Sequence, residues 1–230
     1  MSPRRWILVW DVPTRLFHWL LAISFVGGLA TGDSERYRDL HVLFGATMLV
    51  LIVFRLAWGV VGTRYARFGS FAFGPRALLR YLTSLATLRS TRYVGHTPGG
   101  SWAIWAMLAL GILVGITGYA AYADAGGEWV EELHGALAWA LLGVVVVHVL
   151  GVLLSSALHR ENLIAAMITG RKHGAPSEAI RHSRWVVAAG LAALVLALWV
   201  GIVSVPGVGI GGAERPAARA DRGGVAAHED

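Results

Sequence analysis

The sequence of 230 residues contains no cysteine. That excludes disulfides, iron–sulfur clusters held by thiolates, and any cofactor fixed covalently through a CxxCH motif. Charge is also scarce. Charged residues make up 15% of the chain, and the long apolar stretches hold almost no Asp or Glu. Hydrophobic residues make up 56%, and the mean hydropathy is +0.58. A soluble domain of this length needs a more polar surface, so the composition indicates a membrane protein. The net charge of +6 says little by itself, because in a membrane protein the position of each charge matters more. The basic residues flank apolar spans and suit anionic lipid headgroups. Nothing specific supports nucleic-acid binding.

What is present is a set of apolar spans. They are expected at about 13–31, 40–61, 101–122 and 132–158, each long enough to cross a hydrocarbon core of about 30 Å. A fifth, about 185–205, ends before Pro206. The tail 206–230, rich in Gly, Ala and Arg, is expected to be disordered. Residues 1–12 imitate a signal peptide, but the apolar run is short, Asp11 ends it, and no small-residue cleavage pattern follows. They read as a cytoplasmic lead-in with interfacial tryptophans.

The loops differ in charge. GDSERYRD (32–39) is balanced and AYADAGGEWVEE (121–132) is acidic. The loop between the second and third spans carries Arg64, Arg67, Arg76, Arg80, Arg89 and Arg92. The loop before the fifth span carries Arg160, Arg171, Lys172, Arg181 and Arg184. The positive-inside rule then places the N-terminus and both basic loops in the cytoplasm, and five spans place the C-terminus outside. Within the long basic loop, GPRALLRYLTSLATL (74–88) has Pro75 at a helix start and Leu78, Leu82 and Leu85 on one face. This predicts an amphipathic helix on the membrane surface, and ENLIAAMITG (161–170) reads as a similar extension of the fourth span.

Histidine is the unusual constituent of the spans. Leu133 to His148 reads LHGALAWALLGVVVVH, apolar apart from His134 and His148. Their spacing of fourteen residues is about 21 Å of helix and nearly four whole turns, so both rings leave one face. His18 lies one turn into the first span and His41 begins the second. With alternating span directions, His18 and His148 share an inner level, and His41 and His134 an outer one. Two pairs of imidazoles at two depths suit two six-coordinate iron porphyrins, about 20 Å apart along the membrane normal. Intramembrane ionisable residues are usually functional, although a single histidine often only hydrogen-bonds a neighbouring helix. His159 lies about 16 Å beyond His148 without a partner level and is left out. His96, His173, His182 and His228 fall in loops or the tail and read as solvent-exposed.

Small residues accompany the histidines: Gly45, Ala138, Gly151, and Gly111, Gly115 and Gly118 on one side of the third span. They suit either a flat macrocycle or ordinary close approach of helices. Arg55, fourteen residues after His41, lies near the inner level. It reads either as a partner for a haem propionate or as a side chain snorkelling to the interface. Arg15, one turn before His18, is a second propionate candidate.

These segments resemble a known family. WDVPTRLFHW (10–19), FRLAWGVVGTRYARF (54–68), YVGHTPGG (93–100) and ELHGALAWALLGVVVVHVLGVLLSSALHRENLIAAMITGRK (132–172) are similar to bacterial cytochrome b561 proteins, which include the b-type cytochrome subunits of nickel–iron hydrogenases. The resemblance implies a four-helix inner-membrane core with two non-covalent b haems, ligated by His18, His41, His134 and His148. It also implies electron exchange between the quinone pool and a partner, a c-type cytochrome or a hydrogenase. The fifth span departs from that core and is expected to dock a partner or a second copy, or to serve as an anchor.

The expectation is therefore an all-α integral membrane protein. Residues 1–172 form a di-haem transmembrane bundle, 173–205 a cytoplasmic connector and fifth transmembrane helix, and 206–230 a tail. The expected function is electron carriage between quinone and a redox partner. The alternative is a self-sufficient quinol or superoxide:quinone oxidoreductase, with Arg55, Trp19 and Trp58 as candidate quinone linings. A haem-free metal transporter fits less well, since cation transporters usually place Asp or Glu within their spans.

Overall fold

A computed structural model describes residues 5–87 and 91–201. Four helices are long and apolar enough to cross a membrane: α1 (Val12–Thr31), α2 (Arg38–Val61), α4 (Pro98–Tyr122) and α5 (Glu128–His159). The starts of α1 and α4 follow ordinary capping chemistry. The Asp11 carboxylate accepts from the Thr14 amide at 2.8 Å and Pro13 follows it. Thr97 caps α4 in the same way and Pro98 follows. Both α4 and α5 begin three or four residues before the expected 101 and 132; in α4 the Thr97 cap and not the first apolar residue sets the start.

The helices form two hairpins, α1 along α2 and α4 along α5, joined where α2 packs on α4. α5 stands off from α1 and α2 by comparison. It meets them in one apolar layer, where Phe25 of α1, Met48 of α2 and Leu141 of α5 are all buried together. Each of these residues is seven positions from a histidine: Phe25 from His18, Met48 from His41, and Leu141 from both His134 and His148. Seven residues make about two turns, so the layer lies midway between the two histidine levels.

A small cap closes the end of the bundle that carries His18 and His148, called here the ribbon end. Strand β1 (Arg5–Leu8) pairs antiparallel with β2 (Arg171–Gly174), Arg5 opposite Gly174 and Leu8 opposite Arg171. The fold is a helical membrane bundle, as expected, to which one two-stranded ribbon is added. Four-residue strands carry too little alternation to stand out in a sequence. Their pairing satisfies backbone groups of a lead-in that continues into the first helix. Ile7, Val9, Trp10, Tyr65, Ala166 and Ile180 form the core of the cap. Of the two lead-in tryptophans, Trp6 is exposed, but Trp10 is buried rather than interfacial.

Helix α3 (Pro75–Ala86) occupies the expected amphipathic stretch. Tyr81, not a leucine, is its buried residue, and Leu82 faces outward. ENLIAAMITG is not an extension of the fourth span. The chain turns at Arg160, which has φ 48°, and begins a separate helix, α6 (Leu163–Thr169), capped by Asn162. Helix α7 (Trp185–Trp199) occupies the start of the expected fifth span. Its 15 residues rise about 22 Å, short of a full hydrocarbon crossing. It packs on α1 and α2 through Leu191, Val195 and Leu198, and the Trp199 indole donates to Thr47 at 3.0 Å. The expected tail 206–230, Arg89, His228 and the end of the fifth span lie outside the described residues.

Candidate haem-binding sites

The four span histidines sit on α1, α2 and α5, across the separation between α5 and the first hairpin. At the level far from the ribbon, the His41 and His134 rings lie 6.0 Å apart, centre to centre, and nearly perpendicular at 84°. His41 Nδ1 lies 2.9 Å from the Gly28 carbonyl oxygen, and His134 Nδ1 3.0 Å from that of Val114. A carbonyl only accepts, so each Nδ1 is the donor and each Nε2 is left unprotonated. Metal-bound imidazoles are oriented in this way. Two imidazole–metal bonds of about 2 Å each, with the half-widths of both rings, account for a separation of this size.

Helix α4 carries no histidine, yet it builds this level. Besides Val114, its Thr117 hydroxyl lies 3.3 Å from His134 Nδ1. A Cβ at Gly118 would come within 2.8 Å of the His134 ring, so glycine is what admits the imidazole there. Gly111 and Gly115 serve a different purpose, receiving Ile52 and Leu49 of α2. Gly45 and Gly151 have open space beside them.

At the ribbon end, His18 and His148 approach closely enough to influence each other electrostatically. His18 Nδ1 is sealed from solvent and without a hydrogen-bond partner. Thr14 Oγ1, Arg15 Nε, Arg55 Nη1 and His96 Nδ1 are in the same condition. Among the described residues these five are the only such atoms, and all lie at this one end. A cluster of stranded groups beside two cationic side chains suits an anionic ligand with several acceptor oxygens. The residues of both levels therefore fit haem: imidazoles for the iron, and donors for its carboxylates at the ribbon end.

Arg55 does not snorkel. It is 4% exposed, with its guanidinium 4.8 Å from the Phe68 ring centre and 5.6 Å from that of Phe71. Its nearby opposite charge is Asp11. Arg15 donates through Nη1 to the Ile168 carbonyl, which leaves only its Nε stranded. Trp19 is partly exposed beside Met167, whereas Trp58 is buried and donates to Asp11 at 3.1 Å.

Two residues here are not distinguished by sequence pattern. Asp11 is fully buried and, besides capping α1, accepts from Trp58 and from the Thr63 hydroxyl at 2.6 Å. His96 was expected in solvent. Instead its ring lies 4.7 Å from that of Trp10 and 4.3 Å from that of Phe71. Part of its surface remains open, but burial, with Arg55, Lys172 and His148 nearby, holds its pKa down at about 3. The only advance signal was its place in YVGHTPGG. His173 is also not free in solvent, since its ring centre lies 3.9 Å from that of Trp6, tilted by 39°, whereas His182 is exposed. His159 bonds back to the Ser155 carbonyl at 2.9 Å. No three of His, Asp or Glu converge as a metal site among the described residues.

Comparison with known proteins agrees with this chemistry. A family model described as prokaryotic cytochrome b561 matches residues 9–170. The chain is 25% identical to a probable Ni/Fe-hydrogenase B-type cytochrome subunit of Rhizobium leguminosarum bv. viciae, an alignment covering 74% of this chain and 90% of the relative. It is 23% identical to the protein of the same description in Rhodobacter capsulatus, with coverage of 72% and 81%. It is 24% identical to a probable Ni/Fe-hydrogenase 1 B-type cytochrome subunit of Escherichia coli strain K12, with coverage of 72% and 90%. No solved structure matches the chain significantly. With its four apolar helices and haem-compatible histidines, the chain belongs to the prokaryotic cytochrome b561 family, as a multi-pass bacterial inner-membrane b-type cytochrome of electron transport.

Proposed function

We propose that this protein is a di-haem b-type cytochrome that carries electrons across the membrane between the quinone pool and a partner redox protein. The observation that carries the reading is the facing pair His41 and His134, each with Nδ1 committed to a backbone carbonyl and Nε2 left for a metal. His18 and His148 form the second pair. The four histidines would hold the haems, and each haem would supply a one-electron iron couple.

The chain's own groups do the rest. Gly28 and Val114 carbonyls fix the tautomer and orientation of the far pair. Arg55, Arg15 and Thr14 offer donors to carboxylates at the ribbon end. Phe25, Met48 and Leu141 exclude water between the levels. The partner we favour is a hydrogenase, since the relatives are described as hydrogenase cytochrome subunits. A c-type cytochrome is the second candidate. We place the ribbon end in the cytoplasm, because the exposed Arg64, Arg67, Arg76 and Arg80 lie there. On this reading α7 crosses with residues that follow it, and the C-terminus is periplasmic. Residues 1–172 are then the haem-binding unit and 173–205 the connector and fifth span.

The reading is tested by a reduced-minus-oxidised visible spectrum with extracted haem counted per chain. The expected result is two low-spin haems, falling to one in His41→Ala and to one in His148→Ala. Two haems retained in His41→Ala would overturn the pairing. Rapid quinone reduction by the purified chain alone, with superoxide as donor, would favour an oxidoreductase over a conduit.

A further inference from the structure

From Leu40 to Ala123 the sequence has no Asp or Glu, but seven arginines: Arg55, Arg64, Arg67, Arg76, Arg80, Arg89 and Arg92. The carboxylates that the fold brings to the same end are already engaged. Asp11 accepts from Thr14, Trp58 and Thr63. Glu161 pairs with Arg92 at 3.0 Å and sits 3.9 Å from Lys172. Glu178 accepts from the Ala175 amide at 2.7 Å. The exposed Arg76 and Arg80 on α3 meet no carboxylate among the described residues.

Helix α3 has three stripes. Ala77, Leu78, Tyr81, Ser84 and Leu85 form the covered one. Tyr81 fixes its rotation: the phenol bonds Ser155 of α5 at 3.0 Å, and a Cβ at Gly99 would come within 2.9 Å of the ring. Leu79 and Leu82 form a second, apolar stripe, 62% and 47% exposed. Arg76, Arg80, Thr83 and Thr87 form the third. Both threonine hydroxyls bond to the helix's own carbonyls, so the arginines are the groups this stripe offers outward. Spaced by one turn, they stand about 6 Å apart. Beside them Trp102, 42% exposed, donates to the Phe73 carbonyl at the start of α4, where an interfacial tryptophan belongs.

We propose that α3 is a binding site for an anionic phospholipid. Arg76 and Arg80 hold its phosphate, and Leu79 and Leu82 lie against its acyl chains. The occupant follows from charge and place. The stripe needs an anion that no described residue supplies, it adjoins a second exposed stripe that is apolar, and both sit at the end of membrane-crossing helices. Through Tyr81 and Gly99, a lipid seated here would also hold the loop that carries His96.

The test is native mass spectrometry of the full-length protein released from detergent micelles, titrated with phosphatidylglycerol and with phosphatidylcholine. The wild type should retain phosphatidylglycerol preferentially. Each arginine at an anionic surface contributes about fivefold, so Arg76→Gln with Arg80→Gln should weaken the tightest retained lipid about 30-fold. Leu79→Asn with Leu82→Asn should weaken it too, while inorganic phosphate at millimolar concentration should not displace it. Arg64→Gln with Arg67→Gln should have little effect. Equal retention of both lipids, or an equal loss in the Arg64/Arg67 variant, would overturn the site in favour of a general basic field. Displacement by inorganic phosphate would assign the arginines to a soluble anion instead. Haem content, read from the visible spectrum, should be unchanged in all variants and reports that they are folded.

Discussion

A single carboxylate, Asp11, ties three segments together. It caps α1, receives the Trp58 indole from the end of α2 and the Thr63 hydroxyl beyond it, and stands as the counter-charge near the buried Arg55. Losing an N-cap costs about 1 kcal/mol. Each buried donor left without a partner adds about 1–3 kcal/mol. Asp11→Ala should therefore lower stability several-fold more than an ordinary surface substitution, read as a fall in melting temperature in detergent, while Asp11→Asn should retain much of the cap. His96 makes a second prediction at this scale. Its pKa in the folded protein is about 3, far below the usual value of about 6.5. Between those values the unfolded chain binds a proton that the folded chain refuses, so stability is retained above about pH 6.5 and lost as pH falls toward 3. Thermal melts of the wild type should decline across that window. His96→Gln should show a shallower decline, and an identical slope in the two proteins would exclude His96 as its source.

At the scale of elements, the layer of Phe25, Met48 and Leu141 buries α5 against the first hairpin between the two histidine levels. It keeps both histidine levels at fixed distances from one apolar contact. Leu141→Ala should cost about 2–5 kcal/mol, as other large-to-small changes in a packed core do. Because α5 carries a histidine at each level, the loss should broaden the electron paramagnetic resonance signals of both proposed haems. Broadening confined to one haem would show that the layer does not position α5 as a unit. The break at Arg160 has a related consequence: α6 can fold back under α1, where the Ile168 and Met167 carbonyls meet Arg15 and Trp19.

For the whole molecule the governing feature is polarity. Among the described residues Asp33, Glu35, Asp39, Asp124, Glu128, Glu131 and Glu132 lie at the far end, opposed there by only Arg36 and Arg38. The remaining acids of the described residues, Asp11, Glu161 and Glu178, are engaged at the ribbon end. Lys172 shows what that engagement counteracts: burial pushes its pKa down, Arg92 adds to the shift, and Glu161 opposes it. The charge bias predicts a cytoplasmic ribbon end. A reporter active only in the periplasm should be active when fused after Trp129 and silent when fused after Arg80. The reverse pattern would invert the proposed topology.

The sequence by itself determined the crossing helices, the positions of four histidines on them and the family. These are legible because a bilayer forces backbone hydrogen bonds inside each helix, so length, hydropathy and periodicity carry the information. Only the tertiary structure decided which carbonyls orient His41 and His134, that Arg55 is buried rather than snorkelling, that His96 packs between aromatic rings, and that Arg5–Leu8 pairs with Arg171–Gly174. Each of these joins residues distant in the chain, such as Asp11 with Trp58 or Tyr81 with Ser155. Local periodicity does not encode such contacts. They follow from how the two hairpins and the cap pack, where each buried polar group must find a partner once water is excluded.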